Sequence, residues 1–186
     1  MKKSIIASAA MLLSASLLTG CVIHVGDASA LEGSDFSSIL GNIDIAEGKH
    51  AGDISSVNGN VEISDHGGAD EVSTVNGNVT LPTQSTIGGS VETVNGDITA
   101  VDTTIEKHIK TLNGDITLSG SSHVLGDIVY KESESAWGKK SDNKPTLSIS
   151  ASVTVDGNIV LHRPVNLDIE SDELKQKVIV SYSGAQ

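Results

Sequence analysis

The apolar and polar positions between Ile54 and Leu118 repeat with a nearly fixed period. In each repeat, two apolar residues three positions apart lead into an Asn-Gly dipeptide, and alternating apolar residues follow it. The steps between successive asparagines are 18, 19 and 18 residues. A period this short predicts one structural unit stacked on itself. The repeats read ISSVNGNVEI, VSTVNGNVTL, VETVNGDITA and IKTLNGDITL, and their asparagines are Asn58, Asn76, Asn95 and Asn113.

The Asn-Gly dipeptide is usually a hairpin signal, but the flanking pattern argues against a hairpin here. Closing a two-residue turn at Asn95-Gly96 would mix apolar and polar side chains on both faces. In an extended chain with a slight bend, Val94, Gly96, Ile98 and Ala100 all share one face. The pattern therefore predicts extended segments whose apolar face is buried. By the same rule, the residues before the other Asn-Gly corners are predicted to face the core: Val57, Val75 and Leu112.

A repeat of about 18 residues has a contour of about 60 Å, enough for two or three short strands around a narrow apolar channel. The next coil would stack about 4.8 Å further along the axis in parallel register. Asparagines of successive coils would then form a side-chain ladder, and each glycine would supply a backbone conformation that other residues avoid. The sequence thus predicts an all-β, single-stranded parallel β-solenoid of about six coils. Left-handed solenoids with a hexapeptide repeat place apolar residues six positions apart, as this chain does at first. The 19-residue step interrupts that spacing, so the handedness is left open.

Flanking segments extend the solenoid at both ends. The stretch Leu40–Ile45 reads as a degenerate opening coil, as expected for a terminal coil with one exposed face. The charged stretch at residues 131–145 lacks strand alternation and is predicted to be an insertion loop. The segment Val155–Leu161 reads as a fifth copy of the motif, with Asp156 replacing the ladder asparagine. Closing strands are predicted at 166–169 and 177–182.

The N-terminus has the features of a lipoprotein signal sequence. Lys2 and Lys3 precede an apolar run that ends in Leu-Thr-Gly before Cys21, the only cysteine. This resembles a bacterial lipobox. The resemblance implies cleavage of residues 1–20, acylation of Cys21, including an acyl group such as palmitate, and a lipidated tether at 21–34 before the solenoid domain at 35–186. Since residue 22 is Val, outer-membrane sorting is expected, on either the periplasmic face or the cell surface.

The charge limits the partners that the mature domain can have. Loss of both signal lysines takes the net charge from −12 to −14. Such acidity disfavours nucleic acid and direct attraction to anionic lipids. The expected membrane contact is therefore the lipid anchor, and a glycan, an envelope protein or self-association are the remaining partner classes.

Catalytic and cofactor motifs are not evident in the sequence. The six histidines show no metal-ligand spacing, and there is no nucleotide-binding or Ser/His/Asp motif, so no cofactor, no metal site and no catalytic residue are predicted. Asp97 and Asp115 stand one coil apart and leave open the alternative of a polysaccharide lyase or hydrolase. Trp137, Lys139 and Lys140 in the insertion are the candidate partner contacts, because a loop is free of the stacking constraints on the repeats.

The VNGN and VNGD repeats behind a lipobox resemble those of uncharacterised bacterial adhesin-type β-strand-repeat lipoproteins. They are more distantly similar to bactofilin-like solenoids. The resemblance spans roughly residues 40–161. It implies a non-enzymatic role in the cell envelope, structural or adhesive, and it supplies no catalytic residues.

The anchor gives the first testable prediction. Cys21→Ser is expected to release the protein from the membrane, because no acylated residue would then hold it there. Fractionation of cells with carbonate washing measures the distribution. A variant that stays in the washed membrane pellet would contradict lipidation as the anchor.

Overall fold

The computed structural model describes residues 22–25, 28–29, 33–132 and 144–182, and nearly all of its regular elements are β-strands. The strands in chain order are β1 Val22–Val25, β2 Ala28–Ser29, β3 Phe36–Leu40, β4 Ile43–Ile45, β5 His50–Asn58, β6 Val61–Ile63, β7 Gly68–Thr74, β8 Val79–Leu81, β9 Thr86–Ile87, β10 Val91–Thr93, β11 Ile98–Val101, β12 Thr104–Ile105, β13 Ile109–Thr111, β14 Ile116–Ser119, β15 His123–Val124, β16 Ile128–Tyr130, β17 Thr146–Ile149, β18 Thr154–Val155, β19 Ile159–Leu161, β20 Asn166–Ile169 and β21 Val178–Val180. One short helix, α1 Asp172–Gln176, precedes the last strand.

All strand pairs among the described residues are parallel. One sheet runs β2-β4-β6-β8-β11-β14-β17-β20 and forms the first wall. The long strands β5 and β7 belong to the second sheet, which divides beyond β7 into two walls. The second wall is β9-β12-β15-β18, and the third wall is β10-β13-β16-β19-β21, which continues the end of β3, β5 and β7 that leads into each Asn-Gly corner. The predicted parallel β-solenoid is confirmed, with about seven turns rather than about six.

Inward side chains from the walls fill one continuous core. On the first wall, every coil from β4 to β17 places an aliphatic residue at the same register position, with no exposed surface. Each such burial is worth about 1.5–3 kcal/mol relative to exposure, so the column is a main source of stability. Its members are Ile43, Val61, Val79, Ile98, Ile116 and Leu147.

The repeated glycines allow coil corners to approach closely. Gly59, Gly77, Gly96 and Gly114 are not among the residues with positive φ, so the predicted backbone conformation is the wrong reason for glycine there. A Cβ added at Gly96 would lie 1.9 Å from the carbonyl oxygen of Gly77 in the coil below. The other three positions give 1.8–2.0 Å to the equivalent carbonyl. Glycine is required because the stacked backbones leave no space for any side chain.

The insertion replaces one Asn-Gly corner. Thr111 aligns with Tyr130 in the next coil, and Ile116 aligns with Leu147. The chain uses 17 residue steps between Tyr130 and Leu147 where the coil below uses 5, so 12 residues are added at this corner. The predicted insertion at residues 131–145 therefore starts and ends where a regular coil would turn.

The segment Val155–Leu161 is not a fifth copy of the Asn-Gly motif. Val155 aligns with Val124, and Ile159 aligns with Ile128. Asp156 therefore lies at the corner between the second and third walls, and the predicted substitution of a ladder residue is wrong. Both kinds of corner have a glycine next to Asn or Asp and apolar residues on either side. The local sequence therefore does not distinguish them.

The C-terminal end differs in part from the sequence prediction. Strand β20 agrees with the predicted closing strand, and β21 is shorter than the predicted 177–182. Helix α1 was missed, although Ser171 is a typical N-cap, followed by two acidic residues. The Ser171 side chain accepts a bond from the Leu174 N–H at 3.4 Å, and the Leu174 side chain is buried against the last coil. The helix therefore covers part of the core at this end.

The corner spacing predicts a large difference between two Gly→Ala variants. Gly96→Ala is expected to lower the free energy of unfolding by about 2–3 kcal/mol, because the new methyl overlaps a fixed backbone carbonyl. Gly88→Ala is the matched control, since its Cβ would lie 3.9 Å from the nearest atom and should change stability by less than about 1 kcal/mol. Denaturant melts of both variants test this, and equal losses would contradict the close-packed corner.

Candidate functional site

A row of aliphatic side chains runs along the outside of the third wall, beside the Asn-Gly corners. Ile39, Val57 and Val75 are 49%, 40% and 39% exposed, and Val94 and Leu112 are half-buried. These five residues are called the apolar row. The prediction that Val57, Val75, Val94 and Leu112 face the core is wrong.

The reason lies in how the chain turns at the corner. In the coil of Leu112, Ile109 and Thr111 point inward by ordinary strand alternation. Leu112 and Asn113 then both lie on the outside of the corner, and Ile116 resumes the inward pattern. The corner thus shifts the phase of alternation. The inward position next to each corner is a hydroxyl residue, in a buried column that sequence reasoning missed: Ser38, Ser56, Thr74, Thr93 and Thr111.

An open groove of about 540 Å³ follows most of this row. It combines four aliphatic side chains of the apolar row with hydroxyl residues, and it includes Lys131 and Glu132, where the insertion begins. The groove is lined by Ser55, Ser56, Val57, Ser73, Thr74, Val75, Glu92, Thr93, Val94, Leu112, Lys131 and Glu132.

Three charged side chains form a cluster at the upper part of the groove. Lys110 Nζ lies 2.6 Å from Glu92 Oε1, and Lys131 Nζ lies 2.9 Å from Glu92 Oε2. Burial alone raises the pKa of Glu92, but the hydrogen bonds and charges of the two lysines outweigh it and hold that pKa below its ordinary value. Both carboxylate oxygens of Glu92 are therefore engaged in ion pairs.

The four repeat asparagines form one hydrogen-bonded column next to the apolar row. Asn76 Nδ2 donates to Asn58 Oδ1 at 3.0 Å, Asn95 Nδ2 to Asn76 Oδ1 at 2.9 Å, and Asn113 Nδ2 to Asn95 Oδ1 at 2.7 Å. All four side chains are exposed. Because exposed amides can also bond to water, each of these bonds contributes at the lower end of the usual range.

Arg163 ends the asparagine column at its upper side. Its guanidinium donates to Asn113 Oδ1 and, at 2.6 Å, to the carbonyl oxygen of Leu112. The repeats alone predict a single neighbour for Asn113, namely Asn95, and this prediction is wrong. Arg163 is 50 residues away along the chain and crosses the level at which the insertion leaves the wall. No local pattern identifies such a contact.

A second column of polar side chains lies two residues after each ladder asparagine. Each side chain in it accepts a hydrogen bond from a backbone N–H of the next coil. Asp97 Oδ1 accepts the Asp115 N–H at 2.9 Å, and Asp115 Oδ1 accepts the Thr146 N–H at 2.7 Å. Asn60 and Asn78 serve in the same way in the coils below. The two aspartates considered for catalysis therefore each bind a backbone amide of the next coil.

Three of the six histidines lie beside an aspartate of another coil. His50 Nε2 is 3.0 Å from Asp70 Oδ1, and His108 Nδ1 accepts the Asp127 N–H at 2.9 Å. His123 Nε2 is 3.0 Å from an Asp156 oxygen but outside hydrogen-bond alignment. Within the described part of the chain, no group of three His, Cys, Asp or Glu side chains could hold a metal ion.

Several candidate residues lie outside the described ranges. They are the predicted lipidation site Cys21 and the predicted partner contacts Trp137, Lys139 and Lys140. In the ranges that are described, no helix is both long and apolar enough to span a bilayer.

Comparison of the chain with protein-family models, with curated proteins and with solved structures finds no match in any of the three. Arguments about function therefore rest on the residues of this chain alone.

The asparagine column predicts unequal costs for one substitution at two positions. Asn95→Ala removes two ladder bonds and is expected to cost about 1–2 kcal/mol, whereas Asn58→Ala removes one and is expected to cost about half as much. Urea melts of the two variants provide the measurement. A larger loss for Asn58→Ala would show that the column does not stabilise the stack in this way.

Proposed function

We propose that the protein is an envelope lipoprotein, anchored through Cys21 at the outer membrane, whose solenoid acts as an adhesion-type binding module. The supporting observation is the apolar row, which keeps an aliphatic side chain at the same outer position in five successive coils. Neither the core nor the asparagine column needs an apolar residue there. A contiguous exposed apolar surface of this kind is typical of a binding site.

The chemistry of the groove favours an apolar polypeptide segment of another envelope protein as the partner. Four aliphatic side chains of the apolar row line the groove beside uncharged hydroxyl residues, and the Glu92 carboxylate is paired with two lysines. An apolar segment would cover the aliphatic side chains without separating Glu92 from the lysines that pair with it. The groove lining contains no aromatic side chain of the kind that stacks on sugar rings, so a glycan is the less suitable ligand.

The groove and the insertion adjoin each other. Lys131 and Glu132 belong to both, so a partner lying along the apolar row would reach the base of the insertion. The sequence alone favours the loop over the repeats as the binding surface. We propose a surface that combines the wall with the loop, in which Trp137, Lys139 and Lys140 remain the candidate loop contacts.

The alternative of a polysaccharide lyase or hydrolase receives less support. Its two candidate carboxylates, Asp97 and Asp115, each accept a backbone N–H from the next coil, and this duty explains their repetition without catalysis. A non-enzymatic role is therefore part of the proposal.

Site-specific photo-crosslinking in intact cells tests the proposal. A photoreactive side chain at Val75 is expected to form an adduct with an envelope protein. The same group at Thr80, which is exposed on the first wall of the same coil, is the matched control and should not form it. Replacing Val57 and Val94 by Thr in the Val75 probe background should weaken the adduct without lowering the melting temperature appreciably.

Three outcomes would contradict the proposal. They are equal adducts from both probe positions, no adduct at Val75, and adducts at Val75 with lipid or glycan alone. Undiminished crosslinking in the Thr-substituted probe would show that the apolar row does not bind the partner.

A further inference from the structure

Each of the four asparagines in the column is followed by glycine. Asn-Gly is the dipeptide in which asparagine most readily loses its side-chain amide group, a reaction called deamidation. In that reaction the backbone nitrogen of glycine bonds to Cγ of asparagine and gives up its proton. The Cγ–Nδ2 bond breaks, and ammonia leaves. Water then opens the five-membered imide to aspartate or isoaspartate. The reaction needs only water and mild base, so its rate at each corner depends on how firmly the two reacting groups are held.

At the two upper corners, both reacting groups are held by hydrogen bonds. The Gly96 N–H donates to Thr93 Oγ1, and the Gly114 N–H donates to Thr111 Oγ1, each at 3.1 Å. These bonds fix the peptide plane and stabilise the protonated nitrogen. The side chains of Asn95 and Asn113 are each bonded on both sides, Asn113 through Arg163. Rotation of either amide toward the glycine nitrogen breaks two bonds.

The lowest Asn-Gly corner lacks the bond to the glycine N–H and keeps only one of the two bonds to the asparagine amide. The residue below Asn58 in the column is Leu40, whose side chain has no acceptor, so the Asn58 amide is bonded to the column only through Asn76. The hydroxyl that corresponds to Thr93 belongs to Ser56, which is 2% exposed, and its Oγ has no hydrogen-bond partner. It therefore does not hold the Gly59 N–H.

From this difference we infer that Asn58 is the site of spontaneous deamidation in the folded protein, and that the asparagine column and the threonine hydroxyls protect Asn95 and Asn113. Asn76 is intermediate: its amide is bonded on both sides, but the Thr74 hydroxyl donates to the carbonyl oxygen of Gly59 at 3.4 Å. The modification site is thus selected by position in the stack, since all four local sequences are nearly the same.

Modification at this corner would alter the stack. Isoaspartate inserts one additional carbon into the main chain between residue 58 and Gly59. Gly59 is already so close to Gly41 in the coil below that an added Cβ would lie 1.9 Å from the Gly41 carbonyl oxygen. The lengthened chain cannot keep this register. Conversion at Asn58 therefore loosens the first coils and adds one negative charge beside Val57.

Peptide mass mapping after incubation of the folded full-length protein in mildly alkaline buffer tests the inference. Asn58 is expected to convert roughly fivefold or more faster than Asn95 and Asn113, the rate factor that corresponds to about one hydrogen bond. In denaturant the four sites should convert at similar rates, because only the local sequence then matters. Equal rates in the folded protein, or a faster conversion at Asn95 or Asn113, would overturn the assignment.

Thr93→Val provides a second test with an internal control. The variant removes the hydroxyl that holds the Gly96 N–H and keeps the side-chain volume, so conversion at Asn95 should rise several-fold. Conversion at Asn113 should stay unchanged, because Thr111 is intact. An unchanged rate at Asn95 would show that the hydroxyl does not protect the corner. A parallel rise at both sites would show that general loosening of the fold, and not the single bond, controls the reaction.

Discussion

Successive corners of the solenoid approach each other closely, and this contact governs how the coils stack. Gly59, Gly77, Gly96 and Gly114 lie so near the carbonyl oxygen of the preceding coil that no side chain fits between them. This contact sets the register between coils. Register in turn places one asparagine above another and aligns the aliphatic columns of the core. Because parallel stacking repeats every position, any residue kept at one point of the repeat becomes a continuous row.

The same repetition explains why an apolar surface feature is informative here. Core rows are retained by burial, and the asparagine row by its own hydrogen bonds. The apolar row beside the corner is neither fully buried nor hydrogen-bonded through its side chains. It nevertheless continues through five coils and reaches the base of the insertion. The insertion occupies the corner above Gly114, where the column of glycines ends, and Arg163 of the next coil reaches Asn113 across this level. A long loop is tolerated there because the two neighbouring coils remain bonded through the strands on both sides.

The period, the parallel stacking and the asparagine column follow from the sequence, because they depend only on the spacing of identical residues. The sequence does not show whether the residue before each asparagine points into the core or toward solvent. Val57 is as regular and as apolar as Ile54, and only the two-residue outward corner shows that one is exposed and the other buried. The role of glycine was missed for a related reason, since crowding by another coil leaves no mark in the local sequence. Arg163 could not be predicted, because its partner is 50 residues away.

At each Asn-Gly corner, the residue before asparagine points outward and the residue before that points inward. Thiol labelling of folded Thr74→Cys and Val75→Cys variants in a Cys21→Ser background tests this most directly, because the two positions are adjacent but 4% and 39% exposed. The structure predicts rapid labelling of the cysteine at position 75 and strong protection of the one at position 74. Protection at position 75 with rapid labelling at position 74 would place the apolar row in the core and contradict this account.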